Sequence, residues 1–423
     1  VYKPSAPDLL YLNDTAWEAA LAPHRVLQLS PLPQSPGPGV LDAQGRIGRN
    51  FAPERQQENV SLFGAFADHL RACLKDSQVV IASYSDGARE RLKGLLEDEK
   101  IKTLTEVSGR PLSFSMVQAD AAPDQWRELM SRLDEAADEG LAIKAQVQGR
   151  PVGLMLGLQG SAHPFITRPS YMAIADLPYS ERAAVMRDPE VRARILSEAP
   201  ERGHPFINSL AGAYHKMFEL GDPPNYEPAP EDSIAARAKR DGTSPDEIVY
   251  DMLAAGDGSG FLFFAMHNYT EGSLENTLTM MKNPNTIFGL SDGGAHVGAI
   301  CDVSVPTYML THWCRDRTRG EQLSLPFVVR SQTRDTAEAV GLFDRGVVAP
   351  GYKADLNIID MNRLQLRPPH MIYDLPTGAR RLMQEAEGYV ATIVSGTVVY
   401  REGQPTGALP GKLVRGAQTA PAA

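Results

Sequence analysis

Residues 291–296 read Ser291-Asp292-Gly293-Gly294-Ala295-His296 and follow directly on the apolar run Thr286 to Leu290. A carboxylate just beyond a buried strand can orient and deprotonate a water molecule, above all a metal-bound one. In a barrel of parallel strands the carboxyl ends converge on one mouth, where such chemistry is done. Asp292 is therefore the candidate general base and a candidate metal ligand, and His296 a candidate substrate contact. Asp followed by two glycines is also an ordinary turn sequence, so the motif takes its weight from its surroundings. His267-Asn268-Tyr269 closes a second apolar run, Phe261 to Met266, and is expected to face the same mouth, which makes His267 and Asn268 candidate substrate contacts. Arg150 follows a third run, Leu141 to Val147, where a guanidinium can clamp a substrate carboxylate through two parallel hydrogen bonds; the alternative is a surface arginine. His163, His204, His215 and His267 are the remaining metal-ligand candidates, each more often a structural or solvent-facing side chain than a ligand.

The elements that must position these residues are legible from periodicity. Leu112 to Gln118 reads as a strand, and Trp126, Leu129, Met130 and Leu133 share one helical face before Gly140. Leu141 to Val147 is the next strand. The alternation recurs with Phe261 to Met266, a helix carrying Leu274, Leu278 and Met281, and Thr286 to Leu290. Strands alternating with helices predict a parallel sheet, open or closed into a barrel. Between about 160 and 255 the rhythm weakens, with helices expected over 179–198 and 245–255. Residues 354–360 and 389–400 are β-rich and joined by glycine turns, which predicts a small antiparallel sheet. Residues 417–423 are expected to fray. At the front, 59–74 has helical spacing, Val79 to Ser83 reads as a strand and Ala88 to Glu97 as a helix, a small α/β unit.

Composition narrows the function classes. The 423 residues carry a net charge of −10 and are 43% hydrophobic, enough for at least one large core but the wrong sign to attract nucleic acid or anionic lipid. Three cysteines, Cys73, Cys301 and Cys314, without a Cys-x-x-Cys, provide neither a disulfide framework nor a thiolate zinc cage, which fits a cytoplasmic setting. No apolar run approaches the roughly 20 residues a bilayer needs. The chain starts at Val1, as expected of a processed or truncated N-terminus.

The SDGGAH segment is followed by Asp344-Arg345-Gly346-Val347-Val348-Ala349-Pro350-Gly351-Tyr352-Lys353-Ala354-Asp355-Leu356, then by Val394-Ser395-Gly396-Thr397-Val398-Val399. This order resembles the amidohydrolase superfamily over about 106–416, and within it the N-acyl-D-amino-acid deacylase (D-aminoacylase-like) branch. The resemblance implies an α/β fold, a metal-dependent (β/α)8 TIM-like barrel with a small C-terminal β-sandwich. It also implies hydrolysis of amide C–N bonds in a small-molecule N-acyl amino acid by zinc-activated water, with Asp292 as the aspartate after the last barrel strand. The superfamily takes metal from a His-x-His pair after the first barrel strand, and none of the nine histidines here stands two residues from another. The expectation is thus an incomplete barrel with an impaired metal site.

Three stretches of the first hundred residues, Asp8-Leu9-Leu10-Tyr11-Leu12-Asn13, Gly48-Arg49-Asn50-Phe51-Ala52-Pro53-Glu54-Arg55 and Val79-Val80-Ile81-Ala82-Ser83-Tyr84-Ser85-Asp86-Gly87, resemble a segment of bacterial transcription-repair coupling factor. No phosphate-binding GxxxxGK[ST] loop accompanies them. The expected organisation is a chimeric chain: 1–105 coupling-factor-like, 106–345 partial barrel, 346–416 β-rich and 417–423 tail. The alternative to a hydrolase is a non-catalytic fragment acting as an interaction module of transcription-coupled repair.

Overall fold

The structure is a computed structural model that describes residues 100–201, 207, 210, 212–289, 291, 293–294, 296–375 and 377–421, and the isolated positions 15, 19 and 22. The chain divides into two compact bodies, residues 2–110 and residues 111–423. Of the first, the helix α1 (Lys100–Ser108) is described. The helix, strand and helix expected over 59–97 lie outside the described residues.

The second body begins with β1 (Leu112–Ser115), α2 (Gln125–Asp138) and β2 (Ile143–Val147). Trp126, Leu133 and Ala136 are the buried residues of α2, spaced so that one helical face covers the sheet. β1 and β2 pair in parallel, with Phe114 opposite Ala145, as a strand-helix-strand crossover requires. β6 (Thr286–Phe288) adds in parallel on the other side of β2, giving the order β1-β2-β6. Asp134 of α2 fixes the turn into β6 by accepting bonds from the side chains of Asn283 (2.8 Å) and Asn285 (2.9 Å). Among the described residues the parallel strands form this open three-stranded sheet and not a closed ring.

The run Phe261 to Met266 corrects the expectation of a single parallel sheet. It forms β5 (Leu262–His267), which sits in a second, antiparallel sheet between β3 (Val152–Leu156) and β4 (Met217–Glu219). A strand buried on both faces has the same apolar signature in either direction, so periodicity cannot fix its polarity. Leu154, Leu156 and Phe264 of this sheet join a core that includes Phe165, Met186, Ile195, Tyr250 and Leu253. β3 approaches β5 so closely at Gly153 that an added Cβ would lie 2.2 Å from the ring of Phe263 and 2.9 Å from the carbonyl of Phe264.

The helix expected over 179–198 is two, α3 (Tyr179–Met186) and α4 (Pro189–Ser197). Pro189 cannot continue a helix but starts one well, and Asp188 caps α4 by accepting from the amides of Glu190 and Val191 at 2.9 and 3.1 Å. The helix expected over 245–255 is α5 (Pro245–Ala254). Before β6 lies α6 (Glu275–Lys282), with Leu278 and Met281 buried. After β6, α7 (Val305–Tyr308) widens into a π-helix over Met309–Asp316.

The C-terminal part contains a four-stranded antiparallel sheet, β14-β13-β12-β7, from β7 (Leu356–Ile359), β12 (Tyr389–Val394), β13 (Thr397–Arg401) and β14 (Gln404–Pro405). Between β7 and β12 the chain makes two ribbons, β8 (Gln365–Leu366) with β11 (Ala386–Glu387) and β9 (His370–Ile372) with β10 (Arg381–Met383). The tail is tied down where fraying was expected. The amide of Phe343 donates to the carbonyl of Gln418 at 3.0 Å, and the amide of Gln418 to that of Gly341 at 2.8 Å. Two backbone bonds offset the entropy of ordering a short terminal segment.

Gly153→Ala is expected to force β3 from β5 and destabilise the protein by about 1–3 kcal/mol. Urea unfolding of the variant and the wild type checks this, and an unchanged midpoint refutes the close approach.

Candidate functional site at the carboxyl ends of the strands

Because β1, β2 and β6 are parallel, their carboxyl ends lie along one edge, and Gln118, Gln148 and Gly289 begin the loops that leave it. The end of β5 is stitched to this edge by Asn268. Its amide donates to the carbonyl of Gln118 at 2.9 Å, its Oδ1 accepts from the amide of Gln118 at 2.7 Å, and its Nδ2 donates to the carbonyl of Gln148 at 3.4 Å. The geometry needs a left-handed backbone at 268 (φ 62°), which asparagine tolerates better than other residues with a side chain. Gln118 continues the link through its Nε2, which donates to both carboxylate oxygens of Glu271 at 2.9 and 2.8 Å.

Charged groups gather on the same loops. Lys216, whose side chain is 9% exposed, pairs with Asp120 and donates to the carbonyl of Met266 at 3.1 Å. Thr270 donates to Asp120 at 2.8 Å. Burial pushes the Asp120 carboxyl up, but the bonds from Lys216 and Thr270 and the charges of Lys216 and His267 outweigh it and hold the group below its ordinary value. An ammonium, an ionised carboxylate and an imidazole thus lie together at the end of β5. A cavity of about 270 Å³ opens beside them, lined by His215, Lys216, Tyr269, Thr270 and Glu271 among others.

The site residues expected from sequence are distributed unevenly. His267 and Asn268 stand at this edge. His296 is exposed, with a left-handed backbone (φ 48°), and its carbonyl accepts from the amides of Ala299 and Ile300. Asp292 and His204 lie outside the described residues. His215 is exposed, whereas His163 is buried among Phe165 and Tyr171.

Arg150 requires a correction, because the structure places it in the interior and not on a substrate-facing surface. Its guanidinium donates to Asp302 (2.7 Å), Ser304 (3.0 Å) and the carbonyl of Cys301 (2.8 Å), with its Cζ 4.0 Å from the ring centre of Tyr226. A buried cation needs a fixed counter-charge, and Asp302 occupies the position a substrate carboxylate would take.

Sequence reasoning missed a second polar centre. Glu227, with its side chain 1% exposed, accepts from Arg317 at both oxygens (3.0 Å each) and lies 2.6 Å from Nε2 of His312. Burial pushes its carboxyl up, but the bonds and charges of His312 and Arg317 hold it at about 2. The run His312-Trp313-Cys314-Arg315-Asp316-Arg317-Thr318-Arg319 is the only local trace of this centre, and its partner lies 85 residues away.

A metal ion is implied by the resemblance noted above. Among the described residues no three His, Cys, Asp or Glu side chains converge on a position that could hold one, so the described donors do not fit a metal centre. The family model for amidohydrolases matches residues 39–400. The chain belongs to the amidohydrolase family. The match includes much of the segment 1–105 that was expected to be coupling-factor-like. No curated protein matches the sequence. Among solved structures, it is similar to a D-aminoacylase that defines a novel subset of amidohydrolases (17% identity, TM-score 0.37, 73% of this chain and 51% of that one). Another is the N-acyl-D-glutamate deacylase of Bordetella bronchiseptica, complexed with zinc and a phosphonate inhibitor (16% identity, TM-score 0.41, 83% and 60%). The chain therefore spans about half to three fifths of the length of these family structures.

Two outcomes test this description. Asn268→Ala removes two side-chain bonds and leaves alanine in a left-handed conformation, and is expected to cost about 2–3 kcal/mol in denaturant unfolding. His163 supplies a pH test. Burial, and then the charge of Arg182, lower its imidazole to about 3, whereas the unfolded chain titrates near the ordinary value of 6.5. Between these values only the unfolded state takes up the proton, so stability is complete above pH 6.5 and falls as pH drops toward 3. Moving from pH 7.5 to 5.5 is expected to cost about 1.4 kcal/mol through this group, and His163→Gln is expected to remove that component.

Proposed function

We propose that the chain is a hydrolase that cleaves the amide C–N bond of N-acyl-D-amino-acid-like substrates, with Asp292 as the base that takes a proton from the attacking water. The observation that carries this reading is the amidohydrolase family match over 39–400, which contains the SDGGAH segment following β6. The strand-end cluster supports it chemically. Amide hydrolysis develops negative charge on the carbonyl oxygen, and the substrate class carries a carboxylate of its own. The Lys216 ammonium, braced by Asp120, is a cation suited to either task. His267 next to it can hold or pass a proton at the leaving nitrogen. His296 remains a candidate contact on the loop that carries Asp292.

Catalysis is proposed to be impaired. The sequence lacks a His-x-His pair, and the described residues supply no cluster of three metal-donor side chains. Zinc is present in the N-acyl-D-glutamate deacylase complex, and the candidate ligand for it in this chain is Asp292. The preference for D over L substrates is part of the same proposal and follows the branch whose motifs the sequence resembles.

Incubating the purified chain with N-acetyl-D-leucine, N-acetyl-D-glutamate and their L forms, with and without added zinc, and measuring free amino acid provides the test. The expected result is slow release from the D forms, at or below about 1 s⁻¹ against a typical enzyme median near 10 s⁻¹, with less than one zinc per chain by elemental analysis. Asp292→Asn is expected to lower the residual rate by about 10²-fold or more. Release unaffected by that substitution refutes the assigned base, and stoichiometric zinc with fast turnover refutes the impairment.

A further inference from the structure

The Glu227–His312 centre borders a cavity of about 520 Å³, lined by Pro223, Pro224, Tyr308, His312, Arg319 and Leu366 among others. That size falls in the range of small-molecule sites. Most charges around it are already matched. Arg317 is bidentate on Glu227 and also meets Glu275, and Arg315 pairs with Asp316 at 2.6 and 2.8 Å. Arg319 differs. Its Nη1 donates to the carbonyls of Glu227 (3.1 Å) and Pro228 (3.0 Å) and to the hydroxyl of Tyr269 (2.8 Å), and its Nη2 to the carbonyl of Gly272 (2.9 Å). All four are neutral acceptors, so among the described residues no carboxylate lies at ion-pair distance from this guanidinium. Its Nε–H takes no part in these four bonds.

The walls define the rest of the ligand. The His312 ring stacks on Tyr308 with centroids 4.6 Å apart and planes 11° from parallel, which makes a flat aromatic surface. Since Glu227 is ionised it can only accept, so Nε2 of His312 is the donating nitrogen, and Nδ1 makes no hydrogen bond among the described residues. Pro223, Pro224 and Leu366 add apolar surface opposite the charged groups. A partly enclosed cation without a counter-charge, beside a stacked ring pair and aliphatic surface, calls for a single negative charge on an apolar body.

We propose that this cavity is a binding site for small organic carboxylates, the anion set against Arg319 and the apolar portion against Tyr308, His312 and Leu366. The cavity has its own lining and adjoins the strand-end loop through the bonds of Arg319 to Tyr269 and Gly272; the proposal holds whether or not the chain hydrolyses amides. Inorganic phosphate, which lacks the apolar body and carries more charge than one guanidinium balances, is excluded by the same geometry.

Calorimetric titration of the full chain at low ionic strength, with benzoate, benzamide and inorganic phosphate as probes, tests it. Saturable benzoate binding is expected, with benzamide and phosphate each at least tenfold weaker. Arg319→Gln is expected to weaken benzoate at least tenfold. Because Arg319 also ties several backbone carbonyls together, the exposed rim residue Thr318 supplies a second pair of variants. Thr318→Glu is expected to weaken benzoate at least threefold by like-charge repulsion, and Thr318→Lys to leave it equal or tighter. Absence of benzoate binding, equal affinity for benzamide or phosphate, or a Thr318→Glu variant that binds benzoate like the wild type overturns the proposal. If Arg319→Gln fails to fold, the Thr318 pair alone decides.

Discussion

The exchange of hydrogen bonds between Asn268 and Gln118 is the joint on which the functional edge depends. Two sheets of different polarity meet there. A parallel sheet orders β1, β2 and β6, an antiparallel one orders β3, β5 and β4, and neither ladder reaches the other. Asn268 acts as the missing rung, giving its amide and side-chain oxygen to one loop and its side-chain nitrogen to the next. Backbone groups that leave a sheet edge in a buried place must find partners, and an asparagine in the left-handed region supplies them without adding a strand.

The chemistry of the edge follows from that joint. Fixing the start of the 268–272 loop brings Thr270 onto Asp120, and Asp120 in turn holds the nearly buried Lys216. A buried ammonium is costly unless paired and hydrogen-bonded, and here Asp120 and the carbonyl of Met266 share the task. Elsewhere the same rule gives a different result. Arg150 and Arg317 are both deeply buried, but each is closed off by a carboxylate, Asp302 in one case and Glu227 in the other. They act as cross-links. Arg150 reaches Ser304, which meets Gln384, and Gln384 accepts from Tyr226, so one polar chain joins the loop after β2 to the C-terminal ribbons.

Much of the local structure was readable in advance. The Trp126 and Leu133 face of α2, the apolar strands on either side of it and the β-rich C-terminal segments all announced themselves by period and by glycine or proline punctuation. Where the reading failed, a longer-range cause was responsible. Pro189 divided a helix that periodicity ran together. Gln418 was drawn onto Gly341 and Phe343, contacts invisible in a polar tail sequence. Arg150 looked like a substrate clamp because it follows a strand, and became an interior ion pair because Asp302, 152 residues away, lies within 2.7 Å.

The sequence by itself determined the family, through motifs whose order along the chain survives without a structure, and it marked the strands at 112–118, 141–147, 261–266 and 286–290 and the helix between the first two. Only the tertiary structure decided strand direction and charge pairing. Direction is set by which neighbour a two-sided apolar strand meets, and the same side chains serve both polarities. Pairing is set by distance in space, so His312 and Glu227, or Lys216 and Asp120, carry no sign of each other in the chain. An ionisable side chain takes its role from its nearest counter-charge and its distance from water, and both are properties of the folded protein.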